Sequence, residues 1–163
     1  MTYKKALIGF LVTATAIILG TCVYYNIPPE TPPPTPPIPT KVVTIDIGWP
    51  VAKNWDADPE IDGLEFDFTP KDAEDEMVRT SGMVSAKLWL ESLWEGSKGD
   101  LIQEWSNIQI TKDDYDWLWG AAIRLEYRGF EPQEMQFGIL EVTLVTPDDR
   151  SFTARAKDVL LGE

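Results

Sequence analysis

The sequence has no histidine and a single cysteine, and these two shortages exclude several kinds of site. Without histidine the chain cannot assemble a Ser-His-Asp or Cys-His nucleophile, and it lacks the imidazole that serves as a pH switch. Cys22 alone cannot complete a Cys/His zinc site or a disulfide within the chain. The core of any folded domain must therefore hold without a disulfide.

Basic side chains are also scarce. The chain has 14 Lys and Arg against 27 Asp and Glu, which gives a net charge of −13. Residues 42–163 carry 11 of the basic and 26 of the acidic residues, a net charge of −15, because Lys4, Lys5, Lys41 and Glu30 precede them. Such a field repels polyanions, which argues against nucleic acid or an anionic membrane surface as a partner.

The one long apolar run lies at the N-terminus. Residues 6–25 contain no charged residue and follow Lys4 and Lys5. Twenty residues at ~1.5 Å each span ~30 Å, the thickness of a hydrocarbon core. The positive-inside rule places residues 1–5 in the cytoplasm and the rest of the chain on the other side. The sequence therefore predicts a membrane anchor over residues 6–27.

Two alternatives to a retained helix remain open. A cleaved signal peptide is disfavoured, because the run exceeds the usual ~7–15 apolar residues and ends without a small-x-small site. The segment Leu19–Cys22 is similar to a bacterial lipobox, in which the cysteine is lipidated, although Thr21 departs from the Gly, Ala or Ser expected there. A retained helix and a lipidated Cys22 both predict a domain tethered outside the membrane.

A proline-rich spacer over residues 28–41 follows the anchor. Eight of the twelve residues from Pro28 to Pro39 are proline. Proline fixes φ and lacks an amide donor, so this stretch favours an extended polyproline II form of ~3.1 Å per residue. The alternative is that this stretch is a ligand for a proline-recognition domain. Such domains are mostly cytoplasmic, whereas the spacer is predicted to lie on the other side of the membrane.

Residues 42–163 show period-two alternation of apolar and polar residues in seven short runs, which indicates β-strands. Turn signals such as Asp62-Gly63, Ser81-Gly82 and Pro147-Asp148-Asp149 separate them. This pattern predicts an all-β domain, an antiparallel immunoglobulin-like or fibronectin-III-like sandwich of about seven strands. One helical turn is expected after Thr111, as N-cap, with Asp113 and Asp114 in its first turn.

Several motifs carry a resemblance. Asp62-Gly63-Leu64 opens one strand, Gly82–Trp89 forms another, and Leu140–Asp149 forms a third with its turn. Over about residues 56–157 the chain resembles a group of uncharacterised secreted or lipid-anchored bacterial β-sandwich proteins. This resemblance implies the fold and an N-terminal membrane signal followed by a short spacer, and it implies no catalytic residues.

Two acidic groups are candidates for chemistry. Asp56, Asp58 and Asp62 alternate along a loop that ends in Gly63, which is the ligand spacing of a calcium loop. The alternative is a solvated acidic turn, since Pro59 stiffens the loop and the twelfth position from Asp58 is Thr69, not glutamate. The second group, Asp72–Glu76, would serve a glycan hydrolase only with a second carboxylate across an apolar cleft, so we expect a solvated connection.

All seven tryptophans fall in the predicted domain. Trp89 shares the strand parity of Lys87 and Glu91, so we expect it to face outward. Exposed tryptophans can stack on sugars or anchor a protein partner, and Trp89, Trp94 and Trp105 form the predicted patch. The alternative is that tryptophans cover the ends of the sandwich.

The sequence thus predicts a membrane-tethered extracytoplasmic domain that is not an enzyme and acts in binding or envelope architecture, with a protein or glycan partner. The alternatives are a calcium-dependent adhesion module and a carboxylate-based glycan hydrolase. No cofactor other than calcium is expected.

Overall fold

A computed structural model describes residues 41–162, apart from residue 57 and residues 93–96. The predicted tail, anchor and spacer up to residue 40, including Cys22, lie outside the described residues. Within the described part, no helix is long and apolar enough to cross a membrane. The described chain is all-β and forms two antiparallel sheets that pack as a sandwich.

The first sheet has five strands built around β3 (Gly63–Lys71). β1 (Thr44–Ile47) and β2 (Val51–Lys53) pair in succession along one edge of β3, and β7 (Gly120–Glu126) pairs along the other. The two-residue β6 (Tyr115–Asp116) pairs with the start of β7. All of these pairings are antiparallel.

The second sheet has the strand order β5-β4-β8-β9. Its strands are longer: β4 (Gly82–Glu91), β5 (Lys98–Ile110), β8 (Phe137–Val145) and β9 (Ser151–Leu160). A register shift falls between β4 residues Val84 and Ala86, which face Ile108 and Trp105 of β5. Three steps along β5 thus match two along β4, which is a β-bulge.

The core lies between the sheets and follows from alternation. In β3, Leu64, Phe66 and Phe68 point inward while Asp67 is exposed. Burying such side chains contributes about 1.5–3 kcal/mol each. The largest fully buried side chains are those of Phe68, Leu64, Leu88, Leu125, Ile139, Leu140, Leu144, Leu161, Val42, Val84, Val142 and Val159.

Each of the seven predicted runs lies in or overlaps a strand, which confirms the all-β fold, and the described residues form nine strands. β2 and β6 were not predicted, because three and two residues are too short to show a period. The helical turn is present as a 3-10 turn over Lys112–Asp114, where the Asp114 carboxylate accepts hydrogen bonds from the Thr111 amide and hydroxyl.

Candidate functional site

The most exposed apolar segment that the structure describes is the tip of the β6–β7 hairpin. Trp117, Leu118 and Trp119 connect the two strands, and their exposed fractions are 75%, 55% and 65%. We call these three residues the Trp117–Trp119 tip. Large apolar side chains exposed together mark interaction sites more often than single ones do.

The backbone of the tip is fixed by hydrogen bonds and by one glycine. The Asp116 carboxylate accepts the Leu118 amide at 2.8 Å, and the Thr69 hydroxyl donates to the Trp119 carbonyl at 3.4 Å. Gly120 has a φ of +90°, and a Cβ there would lie 2.4 Å from the carbonyl oxygen of Phe68. Only glycine fits this close approach.

The tip lies at the end of the sandwich at which β1 begins. β1 and β7 both run antiparallel to β3, and both begin near its C-terminal end: Thr44 lies opposite Lys71, and Ala121 lies opposite Phe68. Val42, which precedes β1, is fully buried, and its carbonyl accepts a hydrogen bond from Arg150 at 3.0 Å. Residues 41–43 therefore lie at the end of the sandwich that carries the tip.

Carboxylates surround the tip in sequence. Asp113, Asp114 and Asp116 are exposed, and Lys112 is the one cation among residues 112–119. Nearby, Lys71 Nζ lies 3.2 Å from Asp46 and 3.1 Å from Asp75, and these bonds raise the pKa of Lys71, the contact with Asp75 most. The exposed apolar side chains of the tip are thus flanked by carboxylates.

The predicted tryptophan patch is not what the structure shows. Trp105 is 4% exposed and belongs to the core, and its indole nitrogen donates to the Glu126 carbonyl at 2.8 Å, so its assignment to an exposed patch is wrong. Trp89 is half-buried, and Lys98 Nζ lies 4.6 Å above its ring. Trp94 lies outside the described residues.

The residues missed were Trp117 and Trp119. Three consecutive apolar residues cannot all face inward from a strand, since neighbouring side chains point to opposite faces. The run Trp117-Leu118-Trp119 followed by Gly120 was therefore the available signal for an exposed hairpin tip. Trp49, in the β1–β2 connection, is also 74% exposed.

The structure brings the three calcium candidates together. One carboxylate oxygen from each of Asp56, Asp58 and Asp62 lies within 4.8 Å of the others. Backbone amides use one oxygen of each group: Asp58 donates to Asp56 at 2.9 Å, Glu60 donates to Asp58 at 3.0 Å, and Trp55 donates to Asp62. Each carboxylate keeps a second oxygen that could meet a cation.

The second acidic group is a solvated connection between β3 and β4. Glu74, Asp75 and Glu76 are exposed. One oxygen of Asp72 accepts the amides of Glu74 and Glu76 at 3.1 and 3.0 Å, so this carboxylate organises the turn.

An open cleft of about 580 Å³ lies at the other end of the sandwich, beside the start of β3. Tyr127 and Phe130 lie in it edge to face, with ring centroids 5.1 Å apart, and burial raises the pKa of Tyr127. Glu60 and Glu131 also line it, and both are exposed. A carboxylic acid that protonates a glycosidic oxygen needs burial in an apolar setting, whereas Glu60 and Glu131 are exposed to solvent.

Comparisons of the chain with protein-family models, with curated proteins and with solved structures found no significant match. The site must therefore be interpreted from its own geometry.

Proposed function

We propose that this protein is a non-catalytic binding domain held at the outer side of a membrane, and that the Trp117–Trp119 tip is its binding element. The observation that carries the proposal is the exposure of three successive apolar side chains on a hairpin whose backbone is fixed. Tryptophan brings a large contact area with little side-chain entropy to lose, which is why it dominates many binding sites.

The finer fold belongs to the same proposal. Two antiparallel sheets of five and four strands support an immunoglobulin-like or fibronectin-III-like sandwich. In this class of fold the loops at one end serve recognition while the sheets hold them in place. The β6–β7 hairpin fits that division of roles.

Membrane tethering is proposed from the sequence of residues 1–41. A retained helix over residues 6–27 leaves the chain intact from Met1, whereas a lipidated Cys22 becomes the first residue. Mass determination of the membrane-extracted protein distinguishes these two anchors, and a free, cleaved domain in the soluble fraction would contradict both.

Labelling of an introduced cysteine tests the position of the domain and the binding element together. We would place cysteine at Leu118, in the tip, or at Met135, which is 67% exposed in the β7–β8 connection at the other end of the sandwich. Whole cells producing the full chain are treated with a membrane-impermeant maleimide, and the native chain with Cys22 alone is the blank. We expect Met135→Cys to react in intact cells and Leu118→Cys to react faster after detergent extraction than before it.

Two results would count against the proposal. Reaction of Met135→Cys only after lysis would place the domain on the cytoplasmic side. Equal rates for Leu118→Cys before and after extraction would show that the tip is unoccupied in cells.

A calcium-dependent module is a second candidate, favoured by the convergence of Asp56, Asp58 and Asp62. Oxygens bound to one calcium ion at about 2.3–2.6 Å lie within about 5 Å of each other, and the three carboxylates meet this condition. If calcium binds, a concentration of about 100 times Kd stabilises the fold by about 2.7 kcal/mol. Millimolar calcium should then raise the midpoint temperature of thermal unfolding, and Asp62→Asn should abolish this rise while Asp72→Asn leaves it intact. An unchanged midpoint in the native chain would reject this function.

A further inference from the structure

We propose that the Trp117–Trp119 tip docks the domain on the membrane that carries its anchor, by inserting its side chains into the interface of a zwitterionic bilayer. This inference rests on the proposed tether and names the partner of the same tip. Its support comes from the position of the tip, from its chemistry and from the charge around it.

The position of the tip favours a membrane over a distant partner. β1 and β7 pair along opposite edges of β3 and both begin near its C-terminal end, so they are separated across the sheet by two strand spacings, or about 10 Å. The described chain therefore begins, at Lys41, at the end of the sandwich that carries the tip. At ~3.1 Å per residue, the predicted spacer sets an upper limit to the distance between the domain and the bilayer.

The side chains of the tip match the membrane interface. Trp117 and Trp119 flank Leu118, and all three are more than half exposed. Indole rings concentrate at the level of lipid headgroups, because they have an apolar body and one polar N–H group. A hairpin summit of three side chains can insert without burying the backbone of the sheet.

The tether makes a weak contact sufficient. A second contact within a tethered molecule sees an effective concentration in the millimolar range for short linkers. The tip therefore docks the domain even if its affinity for lipid is low in a chain that lacks the anchor.

The charge around the tip selects the lipid. Asp113, Asp114 and Asp116 adjoin it, with Lys112 as the one cation in that segment, and residues 42–163 carry a net charge of −15. Such a surface is repelled by anionic headgroups and meets no repulsion from zwitterionic ones. The bilayer that fits is thus one with a neutral outer leaflet.

Quenching of tryptophan emission by brominated lipid tests the proposal. The full chain is reconstituted in phosphatidylcholine vesicles with or without bromine on the acyl chains. All seven tryptophans follow residue 48, so the anchor contributes no signal. We expect the brominated lipid to quench the native chain and the Trp49→Ala variant, and to leave the Trp117→Ala/Trp119→Ala variant unquenched.

A second variant guards against loss of the fold. Leu118→Glu keeps both tryptophans and adds a charge that the interface disfavours, and Leu118 is too exposed to support the core. Quenching should be lost in this variant while its thermal unfolding matches that of the native chain. Replacing half of the phosphatidylcholine with phosphatidylglycerol should weaken quenching of the native chain at low salt, and added salt should restore it.

Several outcomes would overturn the docking. They are equal emission of the native chain in both kinds of vesicle, quenching that survives in the double variant, or loss of quenching in Trp49→Ala. Vesicles made only of lipid contain no protein or glycan, so a tip that recognises either would give no quenching. Sedimentation of the same samples separates the two proposals. If the chain sediments with the vesicles but its emission is not quenched, only the docking is contradicted. If the chain does not sediment with the vesicles, the tether is contradicted as well.

Discussion

The indole nitrogen of Trp105 donates a 2.8 Å hydrogen bond to the main-chain carbonyl of Glu126, and this bond joins β5 of one sheet to the end of β7 in the other. The same carbonyl accepts the Gln103 side-chain amide at 2.8 Å, and Gln103 in turn accepts the Arg128 amide at 2.9 Å. Trp105 thus closes one edge of the sandwich and supplies a buried aromatic surface.

Replacing Trp105 should therefore be far more damaging than replacing a tryptophan of the tip. We expect Trp105→Ala to lower the free energy of unfolding by about 3–5 kcal/mol, since it leaves a cavity and removes one of the two side-chain hydrogen bonds to the Glu126 carbonyl. Trp117→Ala, at a 75% exposed position, should change it by no more than about 0.5 kcal/mol. Guanidinium unfolding of the full chain in mild detergent measures both, and similar losses would contradict the assignment of core and tip.

Gly120 should be the least replaceable residue of the hairpin. A Cβ at Gly120 would lie 2.4 Å from the Phe68 carbonyl oxygen and 2.5 Å from the Thr69 hydroxyl, in a backbone with φ of +90°. We expect Gly120→Ala to cost at least about 2 kcal/mol. Gly129 also has positive φ but no neighbour within 4 Å, so Gly129→Ala should cost about 1 kcal/mol. Equal decreases in the unfolding temperature of the two variants would show that the close contact of residue 120 with β3 is not the cause of the loss of stability.

Strands β3 and β5 show what the sequence could and could not predict. Alternation identified β3 because Leu64, Phe66 and Phe68 are apolar and separated by acidic residues. In β5 the bulge places Trp105 and Ile108, three residues apart, on the same face, and Asn107 has a φ of +60° between them. A period-two rule cannot detect that extra residue, so the orientation of Trp105 could not be predicted from parity.

The candidate site gave a weaker signal for a different reason. Three successive apolar residues before Gly120 indicate exposure, but β6 has two residues and shows no period, so the strand that positions them could not be predicted. The tip is set by the pairing of Asp116 with Gly120, a contact that appears only once β6 and β7 are placed together. The acidic loop was easier, because Asp56, Asp58 and Asp62 belong to one local turn.

Arg150 should hold the start of the domain in place. Its guanidinium donates to the Val42 carbonyl at 3.0 Å and stacks over the Phe152 ring at 5.2 Å. We expect Arg150→Ala to lower stability by about 1 kcal/mol and to speed proteolysis between the spacer and β1. Arg124→Ala, which removes an exposed guanidinium on β7, is the control; if both variants are cleaved at the same rate, Arg150 does not secure the chain there.

Glu141 should give the fold a measurable dependence on pH. Its carboxylate lies 2.7 Å from Lys98 Nζ and 2.6 Å from the Arg155 guanidinium, and Lys98 first and then Arg155 lower the pKa of Glu141 below its ordinary value of 4.5. A carboxylate whose pKa is lower in the folded state contributes stability above its unfolded pKa and loses it as the pH falls through the folded value. The contribution is therefore complete at neutral pH and declines below pH 4.5.

Glu141→Gln should accordingly lower the free energy of unfolding by about 1 kcal/mol at pH 7, with a difference from the native chain that shrinks as the pH falls below 4.5. Glu65→Gln is the matched control, because Glu65 pairs at 2.7 Å with Arg124, whose side chain is 64% exposed and screened by water. Its effect at pH 7 should be smaller. Unfolding of the three chains between pH 3 and pH 7 decides the matter: a Glu141→Gln deficit that stays constant across that range would show that the two cations are not the cause.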